Sequence, residues 1–198
     1  NISFSLYKEK VEGLTLLRDT EELESDFIAG GTIIGRTEIY DNIGKLEAAG
    51  LDLSWIYQSR FDGGSDLNFW GSFSYIDGDL TNELLNTKST IPFAAQTKLK
   101  FGMTWRNGDF FISPTVHKIG ETESGPNEIS NTTQSIDSFT LVKLYTGYDF
   151  SQSGSIYLRV DNLLDDKYEN VSNGFEPSVQ LAVSQETRRI QLGITFRF

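Results

Sequence analysis

Apolar and polar residues alternate along nearly the whole chain, and a period of two is the pattern of strands lying on a half-apolar surface. The last segment, 187–198, shows it most plainly. Ile190, Leu192, Ile194, Phe196 and Phe198 are apolar, whereas Arg189, Gln191, Gly193, Thr195 and Arg197 are polar or small. Leu99, Phe101, Met103 and Trp105 alternate with Lys98, Lys100, Gly102, Thr104 and Arg106 in the same way. Leu51, Leu53, Trp55 and Tyr57 do so with Asp52, Ser54 and Gln58, as do Leu67, Phe69, Phe73 and Tyr75 with Asn68, Ser72 and Ser74. No stretch repeats apolar residues at i, i+3, i+4 and i+7, so the fold class is all-β. The period predicts about eight strands, over 2–18, 32–59 (interrupted), 66–78, 95–106, 109–119, 138–149, 154–165 and 187–198.

The connections are of two kinds, and they alternate. Segments 60–65, 107–108 and 151–154 are short runs rich in Gly, Asn, Asp and Ser that close hairpins. Segments 19–31, 79–94, 120–137 and 166–186 are long, polar and acidic. In an antiparallel sheet this puts every long loop at one end and every tight turn at the other, as in outer-membrane barrels. A soluble sandwich alternates too, so aromatic placement decides between them. Trp55, Tyr57, Trp105, Phe110, Tyr148, Phe150, Phe196 and Phe198 gather at the tight-turn end on the apolar face. There they are expected to form a girdle at a membrane interface.

Composition narrows the function. Only 38% of the 198 residues are hydrophobic, and no apolar run approaches the roughly 18 residues of a transmembrane helix. A barrel remains open, because alternating strands keep hydropathy low. With 17 Lys and Arg against 28 Asp and Glu, the net charge of −11 argues against a nucleic-acid partner. The absence of cysteine excludes disulfides, thiolate metal sites and a thiol nucleophile. The single histidine, His117, lies on the face opposite Ile112 and Val116 and reads as structural or lumen-facing; Pro114 in the same strand marks an expected bulge. Asp161, Asp165 and Asp166 lack the register of a calcium loop and read as a strand-end turn. No catalytic pair, phosphate loop or zinc-protease helix motif is present, so neither an enzyme nor a cofactor is expected. Glu21, Glu22, Glu24 and Asp26 fall in one long loop, and Glu121, Glu123 and Glu128 in another. That concentrates negative charge at the loop end, either as simple solvated surface or as a means of drawing cations or divalent ions bridging lipopolysaccharide.

Three segments carry a family resemblance. The end of the chain is similar to the last strand of bacterial outer-membrane barrels, in which alternate apolar residues and a terminal aromatic are the signal read by the barrel-insertion machinery; here these are Ile190, Leu192, Ile194, Phe196 and Phe198. The run from Asp161 through Asn162, Leu163, Leu164, Asp165, Asp166 and Lys167 to Tyr168 resembles the Asn-Leu-Phe-Asp-Lys-x-Tyr stretch of TonB-dependent receptors. Leu164 replaces the usual Phe, and an additional Asp precedes Lys167. Asn42-Ile43-Gly44-Lys45 followed by Ala49-Gly50-Leu51-Asp52-Leu53 resembles the receptors' Asn-x-Gly-Lys and Gly-x-Glu-Leu strand, with Asp for Glu.

The resemblance implies that residues 1–198 are the C-terminal part of a transmembrane barrel of about 22 strands, in the bacterial outer membrane. It implies import of a scarce nutrient, most often a ferric siderophore, energised by the TonB complex through a plug of which these residues contain nothing. Outer-membrane lipid and the insertion machinery are the other implied partners. Ligand-contact residues do not transfer, because the family spreads them over variable loops and the plug. The chain opens in mid-alternation without a basic n-region, so no signal peptide is read in it. The rival expectation is a self-contained eight-stranded barrel serving as an adhesin or anchor, which the small lumen residues Ser72, Ser74, Gly102, Thr104 and Gly193 disfavour. A lipid-modifying or proteolytic enzyme and a sugar-binding sandwich are the remaining alternatives.

Overall fold

The computed structural model describes residues 1–17, 27–29, 32–35, 40–84, 86–124, 134–171 and 182–196. In chain order the strands are β1 (Ile2–Leu17), β2 (Phe27–Ala29), β3 (Thr32–Gly35), β4 (Tyr40–Arg60), β5 (Ser65–Asn82), β6 (Thr87–Thr90), β7 (Thr97–Asn107) and β8 (Phe110–Ile119). There follow β9 (Thr122–Glu123), β10 (Ser135–Ile136), β11 (Phe139–Ser151), β12 (Gly154–Asp161), β13 (Glu169–Val171), β14 (Ala182–Ser184) and β15 (Arg189–Phe196). The eight long strands follow the period-two segments, and their order in the sheet is β1-β4-β5-β7-β8-β11-β12-β15. Among the described residues β1 and β15 end this path and do not pair with each other.

The long connections carry structure of their own. β2 pairs with β3, β9 with β10 and β13 with β14 as separate two-stranded ribbons, while β6 pairs with the far end of β5. A backbone leaving a sheet must still satisfy its N–H and C=O groups, and a local ribbon does so. Loop 79–94 is therefore partly strand: β5 runs on to Asn82, which pairs with Thr87.

By compactness the chain divides into two units. The first comprises Asn1–Tyr7, Gly50–Asp77 and Pro92–Phe198; the second comprises Lys8–Ala49 and Gly78–Ile91. A transmembrane strand needs about 9–11 residues. β7, β8 and the parts of β4 and β5 in the first unit are of that order, and the second unit holds the excess of β1, β4 and β5.

Three further boundaries differ from the sequence pattern. β12 stops at Asp161 instead of 165, because Asn162 and Asp165 take left-handed φ angles of 52° and 62° that a strand cannot continue through. Strand 32–59 splits into β3 and β4. Segment 187–198 is strand over Arg189–Phe196, and Arg197 and Phe198 lie outside the described residues. Pro114 makes a gap instead of a bulge: the β7–β8 register is unchanged from Gly102↔Thr115 to Trp105↔Ile112, with the two intervening pairs missing. Proline brings no N–H to the ladder, and the Thr104 and Ser113 hydroxyls bridge the break at 2.8 Å. A register shift does occur in β11, where its pairing with β12 slips between Asp149 and Ser151.

The tight turns form as their residues dictate. Phe61 N–H donates to the Ser65 carbonyl, with Gly64 at φ 77°, and Gly108 opens the two-residue turn after β7 at φ 55°, a conformation that costs glycine least.

Candidate functional site

The register divides the wall formed by β5, β7, β8, β11, β12 and β15 into two faces. Leu67, Trp105, Ile112, Thr146, Leu158 and Leu192 are successive partners across all six strands, forming one row of the apolar face. The only hydroxyl in that row, on Thr146, donates to the Phe111 carbonyl at 2.7 Å; a polar group in an apolar setting requires such a partner. Exposure on this face is high, with Ile190, Leu192, Ile194 and Phe196 each 59–69% exposed.

Of the aromatic residues expected at the turn end, Trp105 meets Phe110 edge-on at 6.2 Å, Phe150 meets Phe196 at 5.8 Å, and Trp55 tilts against Phe69 at 6.4 Å. Tyr57 and Tyr148 are exposed, and Tyr148 faces Phe110 and Ile156 in the register. Phe198 cannot be placed, because it lies outside the described residues.

The opposite face carries ion pairs. Arg106 Nη1 bonds Asp149 at 2.9 Å, and Arg60 bonds Asp66 at 2.7 Å. Asp161 receives Arg159 at 3.0 Å and Arg189 at 3.1 Å, with Lys143 at 3.9 Å. Lys100 lies 5.5 Å from the Trp70 ring centre, a cation–π contact. His117 pairs with Lys100 in the register and so lies on this face, as its alternation required. Asn68 Oδ1 is buried with no hydrogen-bond partner.

Sequence reasoning missed the rings that cover glycines. A Cβ on Gly102 would lie 2.8 Å from the Trp70 ring, and one on Gly147 2.7 Å from the Phe111 ring; Tyr157 similarly covers Gly193. Phe111, Tyr145 and Tyr157 form a cluster with centroids 5.0 and 5.8 Å apart. The small lumen positions Gly102 and Gly193 are thus filled by neighbouring strands, which single-strand alternation does not reveal.

The Asn-Leu-Leu-Asp segment makes a clasp at the end of β12. Asn162 is 5% exposed, and its side chain donates to the Asp166 carbonyl at 2.8 Å and accepts from the Asp166 N–H at 3.2 Å. Leu163 N–H donates to the Val142 carbonyl on β11, and Asp165 Oδ1 accepts from the Arg188 N–H, just before β15. The ring of Tyr168 stacks on Phe139 at 4.6 Å. Lys167 is exposed. The motif thereby ties the loop after β12 to the strands on both sides of it.

In the second unit, beyond the spanning stretches, Lys10 hydrogen-bonds Glu12 and Lys45 hydrogen-bonds Glu47, holding both carboxyls below the usual range. Of the acidic loop residues, Glu121 accepts from the Ser135 hydroxyl, and Glu123 lies in β9. Glu21, Glu22, Glu24, Asp26 and Glu128 lie outside the described residues. Among the described residues no three His, Asp or Glu side chains gather as metal ligands, and no helix is long and apolar enough to cross a membrane.

Comparison with known proteins agrees with this geometry. Residues 1–163 match the family model described as TonB dependent receptor-like, beta-barrel. The ferric-catecholate import receptor Fiu of Escherichia coli K12, in its closed form, superposes with a TM-score of 0.71 at 15% identity, over all of this chain and 25% of that one. The outer membrane transporter YddB of Escherichia coli gives 0.65 at 14% identity, over all of this chain and 30% of that one. The copper transporter OprC gives 0.62 at 18%, again over all of this chain and 28% of that one. The chain thus spans about a quarter to a third of the length of these solved structures. No curated protein matches the sequence. A wall with one apolar and one polar face, long connections alternating with tight turns, and a family match over most of its length make this chain a member of the TonB-dependent receptor β-barrel family, whose barrels lie in the bacterial outer membrane.

Proposed function

We propose that the chain is part of the barrel wall of an active-transport receptor that brings a scarce nutrient, foremost a ferric siderophore, across the outer membrane with energy delivered through TonB. The family match over residues 1–163 carries this reading, and the ferric-catecholate receptor among the structural neighbours favours iron chelates as the cargo. In this role the chain is a receptor and not an enzyme. Its apolar face meets lipid, its polar face lines the lumen, and a plug supplied by other residues of the receptor couples to TonB. Trp55, Tyr57, Trp105, Tyr148 and Phe150 form the interfacial girdle at the turn end. Ile190, Leu192, Ile194, Phe196 and Phe198 present the insertion signal, while Asn162, Leu163, Asp165, Lys167 and Tyr168 close the last long loop.

Uptake by cells tests the proposal. Iron-starved cells lacking the gene should lose uptake of a labelled ferric siderophore, uptake should return with the gene, and a protonophore should abolish it. Uptake that needs no proton-motive force would overturn energised transport. Unchanged uptake across a panel of ferric chelates would overturn iron as the cargo.

A further inference from the structure

The chain carries a net charge of −11, yet the middle of its polar face is cationic. Measured against β8, Lys98 lies in the row of Ile119, Lys100 in that of His117 and Lys143 in that of Thr115; Arg159, through Tyr145, lies in that of Ser113. A cation therefore stands in each of four successive rows of this face, descending from the loop end toward the turn end. Rows are two residues apart, so the series covers about 20 Å along the strands as it passes from β7 to β12. Over the same rows of β5, β7, β8, β11, β12 and β15 the one carboxylate on this face is Asp161, and it is already shared by Arg159, Arg189 and Lys143. Lys98 and Lys100 have no carboxylate partner among the described residues, and Lys100 rests 5.5 Å from the Trp70 ring centre.

We propose that this series is the track along which an anionic iron chelate, one carrying carboxylates or catecholates, descends the polar face, and that it sets the charge class of the cargo. The inference rests on the receptor reading and adds to it the sign of the cargo and the strands that handle it. A cleft lined by one sign of charge draws in ions of the other and raises their entry rate by about 10–10³. Lys and Arg linings are those of anion-selective pores. The spacing of the cations matters as much as their sign. Passage requires contacts strong enough to admit an ion and weak enough to release it. Single charges set row by row meet both demands, whereas a tight cluster of the same charges would hold the anion in place.

Iron uptake by starved cells carrying the whole receptor, and no other chelate receptor, tests this. The probes are a ferric tricatecholate and ferric citrate as anions, a neutral ferric trihydroxamate, and a cationic ferric trihydroxamate bearing a free amine. An anionic probe should be imported and the cationic one should not. At matched receptor levels in the outer membrane, the triple variant K98Q/K100Q/K143Q should lower the saturating rate for the anion about tenfold, the low end of the gain from a single-signed cleft. The half-saturating concentration should change little, because the contact is made in transit and not at the entrance. The variant K98R/K100R/K143R keeps the charge and should restore the rate. Import confined to the neutral or cationic probe would overturn the proposal, as would an unchanged rate in the glutamine variant. Equal losses in the glutamine and arginine variants would also overturn it, by assigning the effect to shape instead of charge. So would a raised half-saturating concentration at an unchanged saturating rate, which would place the contact at the entrance. Entry of none of the four probes refutes the iron-receptor reading on which the proposal stands.

Discussion

The two ends of the first unit are built on different principles. At the loop end, Ala95, Ile136, Ala182, Thr122, Ser124 and Asn162 are all buried. Ser124 N–H donates to the Gln134 carbonyl, and Phe93 N–H to that of Glu123. At the turn end, the connections shrink to a few residues, and Phe110, Tyr148, Phe150 and Phe196 stay 39–59% exposed. The loop end satisfies itself with its own packing and hydrogen bonds, as water-facing structure must. On the apolar face of the turn end and of the strands above it, the backbone is paired and apolar side chains are left for the surrounding medium to solvate, which hydrocarbon does at no cost.

The sharpest way to break this contrast is a charge on the apolar face. Leu192→Arg should lower the stability of the bilayer-inserted receptor by about 2–4 kcal/mol, read from urea titration in lipid vesicles. A change under about 0.5 kcal/mol, the figure for an ordinary exposed surface position in water, would contradict the contrast. Next in size is the clasp. Asn162→Ala removes two hydrogen bonds and leaves a residue with a Cβ at positive φ, an expected loss of about 2 kcal/mol. Native-state hydrogen exchange should register it at Leu163, Asp166 and Arg188 before it reaches the turns. Phe150→Ala forfeits the ring pair with Phe196, about 1 kcal/mol, and should matter in lipid while leaving loop-end exchange unchanged. The smallest effect belongs to Arg106→Ala: its pair with Asp149 is 44% and 41% exposed, so the loss should stay below about 1 kcal/mol and shrink with salt.

Much of this architecture is legible in the sequence, for physical reasons. Alternation is a local property, so the eight long strands and the faces of β7 and β15 follow from residue order alone. The Gly, Asn and Ser turns are local too, and they appear where their composition puts them. What alternation cannot supply is register. Trp70 covers Gly102, and Tyr157 covers Gly193, only because of how neighbouring strands align. Pro114 shows the same limit: the missing N–H predicts a disturbance, but whether the register slips or merely skips depends on Thr104 and Ser113 meeting across it. The ribbons in the long connections show no period of two because their strands are only two to four residues long, as in Phe27–Ala29 and Thr122–Glu123.

The chain's three tryptophans offer the most direct test of which face meets lipid. By alternation and register, Trp55 and Trp105 lie on the apolar face, and Trp70 lies on the polar face over Gly102. In receptor variants retaining one of these tryptophans at a time, reconstituted in vesicles, brominated lipid should quench Trp55 and Trp105 and spare Trp70. Equal quenching of all three, or quenching of Trp70 alone, would contradict a wall whose apolar face meets the membrane and whose polar face lines the lumen.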